Sequence, residues 1–164
     1  MGKVKVQFID PRDAGHRPLD LKAPVFDEEA LARADEALKA MSGSFQVWIE
    51  EEIAKLQAAR LACDNKRWGP VEMERLFAAS HDLKGMGATY GYPLATQIAA
   101  SLCRLIETDA GQTAARTDPS LARAHVDALR AAVRDEIRTE DHPVGAMLLK
   151  ALEERVSGLG VAPI

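Results

Sequence analysis

The stretch "HDLKGMGATYG", residues 81–91, lies inside the longer run "FAASHDLKGMGATYGYPLATQIAASLCRLIE", residues 77–107, and its reading decides the fold. The apolar residues recur at helical spacing, although three glycines fall within the shorter stretch. At about 100° per residue, Leu76, Ser80, Leu83, Gly87 and Tyr90 gather into one band. That band predicts a buried stripe on a helix over 71–90. His81 falls well outside it, on the face that carries Phe77, Ala78, Lys84, Gly85 and Ala88. Residues three and four apart are neighbours on a helix surface, so the period that buries Leu83 exposes His81. A glycine inside a helix costs about 1 kcal/mol relative to alanine, which asks for a steric reason at each one. Gly87 on the buried stripe is assigned to close helix packing, Gly85 to room beside the imidazole, and Gly91 to ending the element.

Working outward, the chain from Asp27 on is rich in Ala, Leu, Glu and Arg and carries no strand signal. Asp27 is read as the N-cap of a helix reaching about Met41. "SGS" at 42–44 is read as a break, followed by a second helix with Phe45, Ile49, Ile53 and Leu56 on one face. "DNKRWGP" ends that helix, and Pro70 takes a first-turn position in the third. Pro93 opens a fourth helix through Glu107, and "DAGQTAARTDPS" reads as a loop. Asp118-Pro119 begins a fifth, with Leu121, Val126, Leu129, Val133 and Ile137 as its apolar stripe. A sixth, shorter helix starts at "DHP", 141–143, and ends at Gly158.

The expected fold is therefore all-α, an antiparallel four-helix bundle with additional helices. Residues 1–26 differ: Val4, Val6 and Phe8 alternate with Lys3, Lys5 and Gln7, a period of two. They are expected to form an extended N-terminal arm, with a hairpin as one form of it. The bundle is expected over 27–158 and a short loose tail over 159–164.

The 164 residues suit one domain with a real core. A net charge of −4 argues against a nucleic-acid binder. No segment has the run of apolar residues that a membrane span needs, and no signal sequence opens the chain, so a cytoplasmic protein is expected. Cys63 and Cys103 match no metal spacing and read as reduced thiols. No histidine pair has a metal-ligating spacing, so no metal and no cofactor site is expected.

An imidazole is nucleophilic and titrates near neutral pH. One that faces solvent beside an ammonium, with no carboxylate on its face, makes a poor general base and a sensible phosphate acceptor. Lys84 would offset the charge that a phosphoryl group brings. His16, His125 and His142 carry no such surroundings, and Trp48, Trp68 and Phe77 are read as packing, with Phe77 also a candidate for an apolar docking surface.

"SHDLKGMGATYG" resembles the signature of histidine-containing phosphotransfer (HPt) domains, approximately His-x-Leu-Lys-Gly, five residues, Gly, here His81, Leu83, Lys84, Gly85 and Gly91. The resemblance implies a helical bundle that takes a phosphoryl group on Nε2 of His81 and exchanges it with a receiver-domain aspartate. It implies Lys84 as the phosphate stabiliser and Gly85 as room for docking; with Phe77, Ala78 and Ala88, which helical spacing places around His81, Gly85 makes the expected docking face. The implied partners are a response-regulator receiver domain and a sensor histidine kinase, the receiver supplying Mg²⁺, and a monomer is expected. No ATP-binding motif is present, so the chain is expected to be a phosphocarrier rather than an enzyme. Many members place a Gln or Glu on the next helix to hold the histidine; counted without gaps that position is Cys103, with Gln97 and Arg104 nearby. Two alternatives stand beside this reading: the phosphoacceptor domain of a chemotaxis-type kinase, and an HPt-like binding module that transfers nothing.

Overall fold

The computed structural model describes residues 28–161. Six helices occupy them: α1 (Glu28–Asn65), α2 (Pro70–Met86), α3 (Pro93–Glu107), α4 (Asp109–Thr117), α5 (Ser120–Arg134) and α6 (Pro143–Ser157). No strand occurs among the described residues. The extended arm expected over 1–26 and the Asp27 cap lie outside them.

The chain divides into two compact units, Met1–Ala37 and Leu38–Ile164. Of the first, the described part is the opening of α1, where Arg33 pairs with Glu29 across one exposed turn. The second holds the core. Ile49, Ile53 and Leu56 of α1 join Met73, Leu76 and Leu83 of α2, Ile98 and Leu102 of α3, and Val126 and Leu129 of α5 in one buried cluster. These four helices form the expected bundle. The apolar stripe read for the fifth helix is buried throughout, Ile137 included, although Ile137 lies beyond the end of α5.

Two expectations are corrected. "SGS" does not break the first helix: α1 is continuous from Glu28 to Asn65. One glycine costs a helix about 1 kcal/mol, and Gly43 stands in open space where nothing forces the backbone apart. The stretch read as a loop after Glu107 contains α4, capped by the Thr108 hydroxyl, which accepts from the Gly111 amide at 3.2 Å. A Cβ at Gly111 would run into the Leu105 carbonyl group, so only glycine lets α4 turn back this tightly on α3. The tail read as loose is anchored at its start, since Val161 is buried.

The end of α1 is fixed by its own side chains. Arg67 and Trp68 adopt left-handed backbone (φ 53° and 57°), which disfavours both. Trp68 is buried, and its indole N–H donates to Asp64 at 3.2 Å. Asp64 also accepts from Arg60 of α1 and Arg123 of α5, each at 2.9 Å. Burial opposes the charge on this carboxylate, but the two guanidinium groups outweigh it and hold its pKa below the ordinary value. No helix among the described residues is long and apolar enough to cross a membrane.

Candidate functional site

The helix that carries His81 is set by its ends. Gly69 enters in extended conformation, Pro70 takes a first-turn position, and Glu72 meets the positive end of the helix dipole. The regular helix stops at Met86, four residues before the expected Tyr90. The chain then closes in a Schellman arrangement: the Tyr92 amide donates to the Gly87 carbonyl at 2.8 Å and the Gly91 amide to that of Ala88 at 3.0 Å. Gly91 sits at φ +84°, the left-handed position this closure requires. Gly91 therefore ends the element as expected, although Gly87 is the helix cap and not a mid-helix residue.

α3 returns antiparallel along α2. Gly87 meets Thr96 at the near end, while Met73 and Phe77 lie with Ile106 at the far end. A Cβ on Gly87 would stand 2.8 Å from the Thr96 hydroxyl and 3.0 Å from the Thr96 amide nitrogen. The close-packing role read for Gly87 is thus a physical contact. Met73, Leu76, Ser80 and Leu83 form the buried face of α2, and the Ser80 hydroxyl is satisfied by the Leu76 carbonyl at 2.7 Å.

His81 points away from this face and is exposed. The Phe77 ring is tilted against it, with ring centroids 5.9 Å apart. Lys84 is half-buried, and Ala78 and Gly85 are exposed. A Cβ at Gly85 would meet no heavy atom within 4 Å. Ala88 is exposed as well and lies beyond the end of α2 in the closing turn, where its amide donates to Thr96 Oγ1 at 2.8 Å.

The residues around the family's orienting position resolve clearly. Cys103 is buried on the α2-facing side of α3; burial pushes its thiol up to about 11, against the opposing pull of the Lys84 ammonium. A neutral thiol is at best a weak hydrogen-bond donor. Arg104 is ion-paired with Glu153 of α6, and Gln97 shares that side of α3 through helical spacing. Neither serves His81. Among the described residues the imidazole makes no hydrogen bond, and its nearest ring is Phe77.

The other histidines have different surroundings. His125 is fully buried: Nδ1 donates to the Leu121 carbonyl at 2.8 Å, which leaves Nε2 to accept from the Ser101 hydroxyl at 3.0 Å. Burial lowers its pKa to about 4. His142 caps α6, its Nδ1 accepting from the Val144 amide at 3.3 Å. His16 lies outside the described residues. Both cysteines are free and buried. No group of three His, Cys, Asp or Glu among the described residues is arranged to hold a metal ion.

One turn from His81, between α2 and α3, runs an open groove of about 310 Å³ lined by Met73, Glu74, Phe77, Ile106, Glu107 and Gln112. Of these the sequence singled out only Phe77. Its place four residues before His81 was the available signal; Met73 and Glu74 share α2 with it, and Ile106, Glu107 and Gln112 come from α3 and α4, whose pairing with α2 no local pattern reveals.

Residues 28–138, more than half of the chain, match the family model of the Hpt domain. No curated protein and no solved structure matches the chain significantly. The match spans α1 to α5 and the loop after it, so α6 lies beyond it. The all-α bundle, the histidine-bearing second helix and the matched residues agree, and the chain belongs to the Hpt-domain family, whose members carry phosphoryl groups in two-component systems through contacts with kinases and receiver domains.

Proposed function

We propose that His81 is the phosphoacceptor and that the chain is a monomeric, cytoplasmic phosphocarrier between a sensor kinase or its receiver and a response-regulator aspartate. One observation carries this reading. Within the matched residues there are two histidines, and His125 is fully buried with both ring nitrogens engaged, whereas His81 is exposed. In transfer from a receiver, the Nε2 lone pair of His81 attacks phosphorus while the P–O bond to the aspartyl carboxyl group breaks. The aspartate leaves as carboxylate and the phosphoryl group stays on nitrogen. Lys84, one turn on, offsets the incoming charge. The Mg²⁺ expected for the aspartyl phosphate belongs to the receiver partner. Phe77, Ala78 and Gly85 form the docking face, with Ala88 at its edge.

Phosphoramidate, or a receiver charged with acetyl phosphate, should label the chain with acid-labile phosphate at His81, and His81→Ala should lose the label. Label persisting on the variant would refute the assignment. Lys84→Ala should slow transfer about tenfold, equivalent to about 1.4 kcal/mol; an unchanged rate would remove Lys84 from the mechanism. The reading as a non-transferring module draws on Cys103, which offers His81 no strong hydrogen-bond partner, and it requires that His81 take no label at all.

A further inference from the structure

The groove beside Phe77 has a chemistry of its own. Its floor is apolar, with Met73 and Ile106 each only 2% exposed. Glu74 and Glu107 stand at its mouth, one from α2 and one from α3, both exposed and neither in an ion pair among the described residues. The nearby cation Arg116 is turned to Gln112, to which it donates at 3.3 Å. Through Phe77 the groove is continuous with the His81 face, because the same ring lines the groove and lies against the imidazole.

We propose that this groove is a specificity anchor for the receiver partner, and that it takes an apolar side chain flanked by Arg or Lys. The inference rests on the phosphocarrier reading and adds which receivers are accepted. An apolar side chain alone would cover the floor but strip water from two carboxylates without replacing it, which is costly. A flanking cation removes that cost. Arginine suits the site best, since its stem can lie along apolar surface while the guanidinium forks to carboxylates. Charge at the rim of an interface acts mainly on encounter rate and on rejecting wrong partners. Receivers with an acidic docking face are therefore turned away by Glu74 and Glu107 before His81 is reached.

The test uses the full chain and the receiver domains of the source organism, each charged with acetyl phosphate. Initial transfer rates are compared for the wild type, a Glu74→Lys/Glu107→Lys double variant and the milder Glu74→Gln/Glu107→Gln, with circular dichroism melting as the check on folding. For the receiver that is fastest with wild type, charge reversal should slow transfer about tenfold and neutralisation a few-fold. A compensating Lys→Glu or Arg→Glu change on that receiver should restore the rate to the reversed variant. Added salt should slow the wild type more than the neutralised variant. Rates within twofold of wild type for both folded variants would overturn the groove as an anchor. Absence of phosphoramidate label at His81 would instead overturn the acceptor reading, so the two failures are distinguishable.

Discussion

His81 and His125 are the same side chain in opposite settings, and the contrast separates what the bundle displays from what holds it together. His81 projects from α2 with Phe77 beside it and makes no hydrogen bond among the described residues. His125 is sealed between α5 and α3, its two nitrogens used by Leu121 and Ser101. Close by, Glu153 of α6 pairs with Arg104 of α3. Burial opposes ionisation of Glu153, but the Arg104 guanidinium paired with it prevails and keeps its pKa below the ordinary value. Reactivity follows from the first setting and cohesion from the second.

The sharpest way to break this contrast is to exchange the consequences. His81→Ala should abolish phosphoryl labelling, a loss of at least about a hundredfold if His81 is the nucleophile, and leave urea stability within about 0.5 kcal/mol, as expected for an exposed position. His125→Ala should do the reverse. Removing a buried ring and its two hydrogen bonds should cost about 2–4 kcal/mol, while the folded fraction still takes label at His81. A His125→Ala variant as stable as the wild type would show that the buried network does not hold the helices.

Acidity should distinguish the two sites next. His125 has an ordinary value of 6.5 and a folded value of about 4, so between these the unfolded chain binds a proton that the folded chain refuses. Its contribution is fully present above about pH 6.5 and is lost as pH falls toward 4, to a total on the order of 3 kcal/mol. Arg104 and Arg155 oppose a positive charge at this place, Glu153 favours one, and burial dominates all three. Urea midpoints measured from pH 7.5 to 4 should fall across this window and flatten there in His125→Ala. Glu153 and Asp64, with lowered values, add a further loss below the ordinary carboxylate range. A wild-type curve that is flat from pH 6.5 to 4.5 would contradict the burial of a neutral ring.

The same division runs through two glycines at the C-terminal end of α2, Gly85 within the helix and Gly87 at its cap. At Gly87 an added Cβ would lie 2.9 Å from the Leu83 carbonyl and 3.0 Å from the Thr96 amide nitrogen, backbone atoms that cannot swing aside. Gly87→Ala should therefore cost about 1–3 kcal/mol, the usual range for overpacking, read from urea midpoints. A neutral result would mean that α2 and α3 can separate without penalty.

How much of this was legible depended on whether a signal was local. The exposure of His81 and the burial of Leu83 followed from helical spacing alone. So did α3, α5 and α6, each announced by a proline near its start. α4 was missed because nine mostly small and polar residues carry no apolar stripe, and its markers, the Thr108 cap and Gly111, are visible only once α3 lies against them. The continuity of α1 through Gly43 was missed because a glycine between serines looks like punctuation, whereas its cost is small beside that of ending a long helix. At the site, Phe77 and Lys84 were within reach of the sequence as neighbours of His81. Glu74 and Glu107 were not, since they meet only through the antiparallel pairing of two helices.

Gly85 gives the smallest effect and the one most specific to display. No heavy atom lies within 4 Å of a Cβ placed there, so alanine costs nothing in packing and gains helix propensity, up to about 1 kcal/mol. A glycine kept where alanine would stabilise needs a reason outside the folded chain, and His81 lies one turn away on the same face. Gly85→Ala should raise the urea midpoint while slowing transfer from a charged receiver a few-fold, because the methyl group narrows the partner's approach to the imidazole. Labelling by phosphoramidate, a donor small enough to pass the methyl, should be unaffected. If receiver and phosphoramidate respond alike, Gly85 is not there for the partner, and the open space beside His81 has no docking role.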